Sequence, residues 1–269
     1  AAVRASGVLA AILLLASAAG AGADAPFAPP AAVMMPFGPL GEAIRYGEKV
    51  AVQTSYYAKA NVGAALDCTS CHIKGARTPN ASPWVGLWGV YPEYDPRSGR
   101  VITLADRINE CFRRSMNGKP LPLDSVEMRG LLSFIWWLSK DVPTGVPVEG
   151  RGFKPLEPSG PPDAARGGVL YAAKCGACHG ASGQGVKGAG GLVGVPALWG
   201  SRSYNIGAGM ARLDTAAAFV KAKMPLGGPA LTDQEAYDVA AYFTRQPRPD
   251  FKAKKGDWAT AAKPKDARY

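Results

Sequence analysis

The chain has 269 residues, with 31 lysines and arginines against 21 aspartates and glutamates, which gives a formal net charge of +10. This basic charge forms no long run outside the C-terminal tail, so it argues against nucleic acid and favours small anions or an acidic protein partner. Only 2 histidines and 5 cysteines are present, which excludes any site that needs a third histidine.

The first 23 residues have the pattern of a secretory signal peptide. Arg4 supplies an early positive charge, residues 8–16 are apolar, and small residues at 21–23 precede Asp24. The apolar run is short for a membrane span, and an uncleaved anchor is the alternative. We therefore expect an exported protein without stable membrane insertion after cleavage, and a proline-rich extension over residues 24–39.

A predicted helix over residues 40–57 precedes the first of two cysteine motifs. Val50 and Val52 are among its apolar residues, and Gly41 and Gly47 are candidates for close packing against another helix.

The pattern CxxCH occurs twice, at residues 68–72 and 175–179, and uses four of the five cysteines and both histidines. Two cysteines at this spacing reach the two vinyl groups of one haem, and the next residue, histidine, then lies beneath the iron. Disulfides or a zinc site would leave each histidine unexplained. Two covalently attached haem c groups are therefore predicted, on Cys68, Cys71 and His72 and on Cys175, Cys178 and His179.

Covalent haem attachment indicates a compartment outside the reducing cytoplasm, and we expect the bacterial periplasm. The two motifs are separated by about the length of one small domain. Each motif is therefore assigned to a domain of its own.

The fifth cysteine, Cys111, lies in a predicted helix over residues 106–116. Arg107, Cys111 and Ser115 recur every four residues and share one helix face. With no third histidine, the sixth ligand of each haem must be cysteine, methionine, lysine, a backbone group or nothing. Nearby arginines favour the thiolate that binds ferric iron, so Cys111 is the predicted distal ligand of haem 1.

Methionines provide the alternatives and the second distal ligand. Met116 and Met128 are alternatives to Cys111 at haem 1, although Met128 lies among apolar residues that suggest a core position. At haem 2, Met224 lies in a Met-Pro sequence just before the last helix and is the predicted ligand. Lys223 is its alternative on oxidised iron, and Met210 competes from a glycine-rich segment.

The first predicted domain covers residues 40–142 and carries haem 1. Its closing helix follows a cap at Asp124 and Ser125, with apolar residues from Met128 to Leu138 spaced mostly three or four apart. Residues 143–162 are rich in proline, which favours an extended linker.

The second predicted domain, residues 163–250, carries haem 2. A helix over residues 163–174, a glycine-rich loop and a closing helix with a capping box at Thr232 and Glu235 repeat the first arrangement. A basic tail, residues 251–269, follows. The prediction is an all-α fold of two tandem class I cytochrome c domains joined by a proline-rich linker.

The chain resembles the dihaem thiosulfate dehydrogenases, some of which run as tetrathionate reductases. The likeness covers about residues 40–250. It is carried by IRYG at 44–47, DRINECF at 106–112, RSMNG at 114–118 and NIGAGM at 205–210, which are more specific than the haem motifs.

The resemblance implies that His72 and Cys111 ligate the catalytic haem. It implies that His179 ligates the second haem together with Met224 or Lys223, and that the choice between Met224 and Lys223 changes with the oxidation state of the iron. It also implies three substrate-contacting residues: Arg97, Arg107 and Ser115. The implied reaction joins two thiosulfates into tetrathionate, or the reverse. Electrons would pass from haem 1 to haem 2 and on to a periplasmic partner such as a small cytochrome c or a high-potential iron–sulfur protein.

Two other functions are alternatives. A non-catalytic dihaem electron carrier would be expected to have methionine at both distal positions and no need for Cys111 among arginines. A related sulfur-oxidising cytochrome subunit would take substrate from a carrier protein and need a partner subunit. A haem peroxidase ranks lower because it usually needs a distal acid–base residue, and no spare histidine is present.

Overall fold

The computed structural model describes residues 23–228 and 230–269, so the predicted signal peptide, save its last residue, lies outside the described residues. Within them the longer helices are α1 (Gly38–Val52), α4 (Leu104–Arg114), α5 (Val126–Ser139), α6 (Ala164–Lys174), α8 (Leu213–Lys223) and α9 (Asp233–Arg245). The single-turn helices are α2 (Thr54–Tyr57), α3 (Ile73–Ala76) and α7 (Gly176–His179). None of the described helices is long and apolar enough to cross a membrane.

Short 3-10 helices and two ribbons complete the fold. The 3-10 helices are Ala32–Met34, Lys59–Asn61, Cys68–Ser70, Leu87–Val90, Ala189–Gly191, Gly209–Ala211 and Lys252–Gly256. The antiparallel ribbons pair β1 (Glu93–Asp95) with β2 (Arg100–Ile102) and β3 (Val186–Lys187) with β4 (Val193–Val195). The sequence did not predict these ribbons, because strands of two or three residues show no measurable alternation.

Helices α1 and α5 cross at a contact that only glycine allows. A Cβ atom on Gly47 would lie 1.9 Å from the carbonyl oxygen of Gly130, so the two backbones touch. The hydroxyl of Ser125 caps α5 by accepting from the N–H of Met128 at 3.1 Å. The predicted packing of the closing helix across the first helix is confirmed.

The second half repeats this crossing with α6 and α9. A Cβ atom on Gly167 would lie 1.8 Å from the carbonyl oxygen of Asp238. The capping box of α9 is present, since the N–H of Glu235 donates to Thr232 Oγ1 at 3.1 Å and the N–H of Thr232 donates to Glu235 Oε2 at 2.7 Å. Both helices begin and end within a residue of their predicted limits.

The apolar residues form two cores, and the first core takes residues from the second half of the chain. Ile44 and Met128 are fully buried in the first core, as expected from the helix patterns, and Phe134 is fully buried beside them. Tyr204 and Ala208, which follow the second CxxCH motif, are buried in the same core. The chain therefore returns to the first domain before it builds α8 and α9.

The predicted linker and tail both pack against the first domain. In the linker, Val148 is buried and the carbonyl of Gly150 accepts from the N–H of Asn80 at 2.6 Å. In the tail, Asp257 forms two ion-pair contacts with Arg114, at 2.6 and 2.8 Å. These two segments are part of the folded body that carries the first CxxCH motif.

Candidate functional site

A cavity of about 520 Å³ lies beside the first CxxCH motif. Its volume falls within the usual range for cofactor and ligand sites, about 300–1,000 Å³. The wall combines the three residues of the motif with three residues of the predicted distal helix α4: Cys68, Cys71, His72, Arg107, Cys111 and Ser115. The fold thus brings together residues that are about 40 positions apart in the sequence.

The His72 ring is oriented by a backbone carbonyl. Its Nδ1 lies 2.6 Å from the carbonyl oxygen of Ser82, so Nδ1 carries the proton and Nε2 is the ring nitrogen with a free lone pair. Burial lowers the pKa of His72 to about 4, although the Ser82 hydrogen bond opposes this shift. A neutral imidazole with one committed nitrogen is the form that binds iron.

The remaining residues of the first motif also fit a covalently attached haem. Burial raises the pKa of Cys68 and of Cys71 to about 12, so both are neutral thiols. Neither forms a disulfide. Two free thiols and an oriented imidazole on the wall of a haem-sized cavity are what haem c attachment requires.

The second motif repeats the same arrangement in a more open place. His179 Nδ1 lies 2.9 Å from the carbonyl oxygen of Pro196, which again leaves Nε2 free, and burial lowers the pKa of the ring. Cys175 is half-buried and Cys178 is exposed, and both are free thiols. The donor set therefore fits a second haem c.

Helix α4 holds Cys111 and its arginine neighbour on the cavity wall. A capping box fixes the start of the helix, since the N–H of Asp106 donates to Thr103 Oγ1 at 3.2 Å. One turn later the Nη1 of Arg107 donates to Cys111 Sγ at 3.5 Å. The charge of the neighbouring Cys111 raises the pKa of Arg107. Ser115 follows at the C-cap and also lines the cavity.

The structure places Arg97 away from the cavity wall. This side chain leaves the turn between β1 and β2, donates from Nη1 to the carbonyl of Gly207 at 2.8 Å, and lies over the Trp258 ring with Cζ 4.7 Å from its centroid. Burial lowers the pKa of Arg97, as do the charges of Arg114 and Arg107. Arg97 is therefore not among the residues that line the cavity, although the charge of Arg107, which does line it, acts on Arg97.

The methionines separate into different environments. Met116 is buried and lines the cavity with Cys111, whereas Met128 is fully buried and is not part of the lining. Met210 packs against the first core and Met224 against the second core. Of these two, only Met224 lies in the core that holds the second CxxCH motif.

Lys223 is the last residue of α8 and directly precedes Met224. Burial lowers the pKa of its amine, and the charge of Lys74, two residues after His72, contributes to the shift. The end of α8 therefore lies near the segment that follows the first CxxCH motif.

Three further residues of the cavity wall were missed by the sequence reasoning: Tyr91, Glu93 and Arg151. Burial is the main cause that raises the pKa of the Tyr91 phenol, and the charge of Arg107 opposes it. No motif marks these positions, and Arg151 lies in the segment read as a linker. Their place in the wall follows from contacts that residue spacing does not encode.

Comparisons with known proteins match both halves of the chain. Residues 54–144 match the family described as SoxA/TsdA, cytochrome c domain, and residues 164–245 match the cytochrome c family. The thiosulfate dehydrogenase of Psychrobacter arcticus is 46% identical over 230 residues, covering 85% of this chain and 70% of that protein. The thiosulfate dehydrogenase of Allochromatium vinosum is 45% identical over 233 residues, covering 85% of this chain and 86% of that protein.

A solved structure agrees with these matches. The thiosulfate dehydrogenase (TsdBA) of Marichromatium purpuratum, in its as-isolated form, is 42% identical with a TM-score of 0.81. The alignment covers 84% of this chain and 50% of that longer chain. The predicted all-α pair of class I cytochrome c domains and the prediction of two haem c groups are confirmed. The chain belongs to the thiosulfate dehydrogenase family and is a dihaem cytochrome c oxidoreductase.

Proposed function

We propose that this protein couples two thiosulfates oxidatively to tetrathionate, or runs the reverse reaction, in the bacterial periplasm. The observation that carries the proposal is the Arg107–Cys111 pair, 3.5 Å from nitrogen to sulfur, on the wall that also holds the first CxxCH motif. The relatives' names give the substrate, and the predicted signal peptide with covalent haem supports the compartment.

Substrate binding is assigned to the polar residues of α4. The planar guanidinium of Arg107 matches sulfonate oxygens with paired hydrogen bonds. The Ser115 hydroxyl is a further donor at the end of the same helix. Arg97, held on Trp258 and Gly207, adds positive potential near Arg107. These charges attract a dianion into a site with a largely apolar lining.

Cys111 supplies the sulfur chemistry. Its thiolate and the sulfane sulfur of one thiosulfate form Cys–S–S–SO₃⁻ with the loss of two electrons. A second thiosulfate then attacks the sulfane sulfur, which releases tetrathionate and restores the thiolate, as in disulfide exchange. Haems held by the two CxxCH motifs would supply the electron acceptors for this oxidation, with haem 1 nearer to Cys111. A small cytochrome c or a high-potential iron–sulfur protein would be the external electron partner.

The distal ligands are proposed from the side chains that share each haem site. Cys111 would hold haem 1 together with His72, because both line one cavity. Met224, which packs on the same core as Cys175, would hold haem 2 together with His179, with Lys223 as its alternative in the oxidised state. The lowered pKa of Lys223 supports this alternative, since only the neutral amine binds a metal.

The decisive experiment compares wild type with Cys111→Ala. Thiosulfate-dependent haem reduction is followed by visible spectroscopy, and tetrathionate is measured with an artificial acceptor that reoxidises the haems. We expect wild type to turn over and Cys111→Ala to keep both haems, by pyridine haemochrome content, while turnover falls to background. Met128→Leu, a buried variant outside the cavity wall, is the control for general damage to the core.

Two outcomes would contradict the proposal. If Cys111→Ala turned over at the wild-type rate, Cys111 would have no catalytic role. If wild type responded to neither thiosulfate nor tetrathionate, a non-catalytic electron carrier would be the better description.

A further inference from the structure

Several buried hydrogen-bond donors meet between the two domains without an acceptor. Tyr204 Oη, two guanidinium nitrogens of Arg248 (Nε and Nη1) and Arg268 Nη1 are buried and make no hydrogen bond of normal geometry in the described part of the chain. Burial raises the pKa of the Tyr204 phenol, and a weak interaction with Arg248 opposes that rise. Tyr204 is only 4% exposed and belongs to the first core, whereas Arg248 follows α9 of the second domain. Arg268 comes from the C-terminal tail.

These three side chains are close to one another. The Cζ of Arg248 lies 4.3 Å from the centroid of the Tyr204 ring. The charges that act on the Tyr204 phenol include Arg248, Arg268 and the haem-attachment residue Cys71. The third nitrogen of the same Arg248 guanidinium, Nη2, donates to the carbonyl of Phe243 at 2.8 Å and fixes the position of the group. The unpartnered atoms thus belong to a fixed group beside the first CxxCH motif.

Burying these donors and positive charges without an anion reduces the stability of the folded protein. A buried donor without an acceptor costs roughly 1–3 kcal/mol, and arginine does not lose its proton to reduce that cost. The nearest charges acting on Arg268 are Arg248, Tyr204 and Arg245, so two of the three are cations that repel it. Neither Arg248 nor Arg268 forms an ion pair with a carboxylate of residues 23–228 or 230–269. The missing acceptor is therefore a negatively charged group that the polypeptide does not supply.

We propose that Tyr204, Arg248 and Arg268 form a carboxylate-binding site for a propionate of one of the two haem groups. Haem propionates are carboxylates that the mature protein contains in addition to its side chains. A phenol and two guanidinium groups match them, because charge-assisted hydrogen bonds to a carboxylate are about twice as strong as neutral ones. The site lies between the domains, so a propionate bound there would tie one haem to both halves of the chain.

The test is an EPR-monitored redox titration of wild type, Tyr204→Phe, Arg248→Ala and Arg268→Ala, as purified dihaem proteins in buffer free of sulfate and phosphate. EPR distinguishes the two ferric haems on the distal ligands proposed above, a thiolate for haem 1 and a thioether or an amine for haem 2. Removing a donor or a cation leaves the propionate charge less compensated, which favours ferric iron. We expect the midpoint potential of one haem to fall in all three variants and the potential of the other haem to stay constant. The haem whose potential falls is the one that supplies the propionate.

Tyr204→Phe keeps the packing of the core, so it tests the site even if an arginine variant is unstable. Lys252→Ala is the matched control, because Lys252 is an exposed cation four residues after Arg248 and is not among the charges that act on Tyr204 or Arg268. Unchanged potentials in Tyr204→Phe and Arg248→Ala would overturn the proposal. So would an equal shift in Lys252→Ala, which would indicate a general surface-charge effect, or shifts that appear only when sulfate is added, which would indicate a free anion as ligand.

Discussion

Single hydrogen bonds decide which atoms of the site are available for chemistry. In both domains the histidine of the CxxCH motif uses Nδ1 for a backbone carbonyl, Ser82 in the first and Pro196 in the second. Neither carbonyl is part of the motif, and each is 10 or 17 residues downstream. The motif thus specifies the ligand type, and the loop after it specifies the ring orientation.

Arg107 offers a test at the scale of one charge. Arg107→Gln keeps a polar side chain that can donate hydrogen bonds but shortens it and removes the cation that lies 3.5 Å from the Cys111 sulfur. A charge-assisted hydrogen bond contributes about 1.5–3 kcal/mol, so we expect kcat/KM for thiosulfate to fall about 10- to 100-fold with both haems retained. Steady-state kinetics with an artificial acceptor measure this change.

The control for Arg107→Gln is Arg113→Gln on the same helix. Arg113 is exposed and pairs with Glu110 at 2.9 Å, so its loss removes an equal charge outside the cavity. If both variants lost activity equally, the effect of Arg107 would come from net charge and not from its place beside Cys111.

At the scale of secondary structure, each domain depends on a helix pair in contact through glycine. Gly47 in α1 lies against the carbonyl of Gly130, and Gly167 in α6 lies against the carbonyl of Asp238. This close contact between the two helix backbones fixes the first helix of each domain against the closing helix. It thereby also positions the CxxCH segment that follows the first helix. The haem sites are therefore positioned by helix contacts that lie outside them.

Alanine at either glycine should destabilise its own domain. Helix propensity would favour the change by up to about 1 kcal/mol. A Cβ atom at 1.9 Å or 1.8 Å from a carbonyl oxygen forces the helices apart, and overpacking of this kind costs typically 1–3 kcal/mol. We expect Gly47→Ala and Gly167→Ala to lower the unfolding temperature in calorimetry of the dihaem protein.

Gly209→Ala serves as the control for this pair, because a Cβ atom on Gly209 would have nothing within 4 Å. Its unfolding temperature should match wild type. Wild-type stability in Gly47→Ala would show that the helices separate without cost and would contradict the close-crossing argument.

At the scale of the whole molecule, the C-terminal tail packs against the first domain at the end of α4. Arg114, whose side chain is only 8% exposed, pairs with Asp257 of the tail and lies over the Phe251 ring, with Cζ 4.2 Å from the centroid. Asn205 adds a second link, since its Nδ2 donates to the carbonyl of Arg113 at 2.8 Å. The end of α4 is thus held by two segments from the second half of the chain.

Asp257→Ala tests this closure. The change leaves the Arg114 guanidinium buried with Glu110 as its remaining carboxylate partner. Breaking a buried ion pair by removing one partner costs about 3–5 kcal/mol, and the Glu110 contact places the expected loss near the lower figure. Denaturant unfolding followed by circular dichroism gives the free energy of unfolding.

Asp250→Ala is the matched control, since Asp250 is an exposed carboxylate directly before the same tail and pairs with Lys254 of the tail. Surface pairs contribute about 0–1 kcal/mol, so this variant should unfold much like wild type. An Asp257→Ala protein as stable as Asp250→Ala would show that the tail does not hold α4.

The haem motifs and the main helices could be predicted because their signals are local. CxxCH places both thioether cysteines and the proximal histidine within five residues, and Ser125 and Thr232 mark helix starts through bonds to residues three positions away. The spacing of Arg107, Cys111 and Ser115 likewise placed them on one face of α4, and all three line the cavity. Periodicity and capping need no knowledge of the rest of the chain.

The long-range contacts could not be predicted from the sequence. The sequence by itself determined that this is a dihaem cytochrome and where each haem is attached. Only the tertiary structure decided that Arg97 lies against Trp258 outside the cavity wall, that Arg151 lines the wall, and that Tyr204 packs in the first core. These contacts join residues that are distant in the chain. The position of a buried charge or aromatic ring depends on which other segments pack around it and exclude water, and residue spacing does not specify those segments.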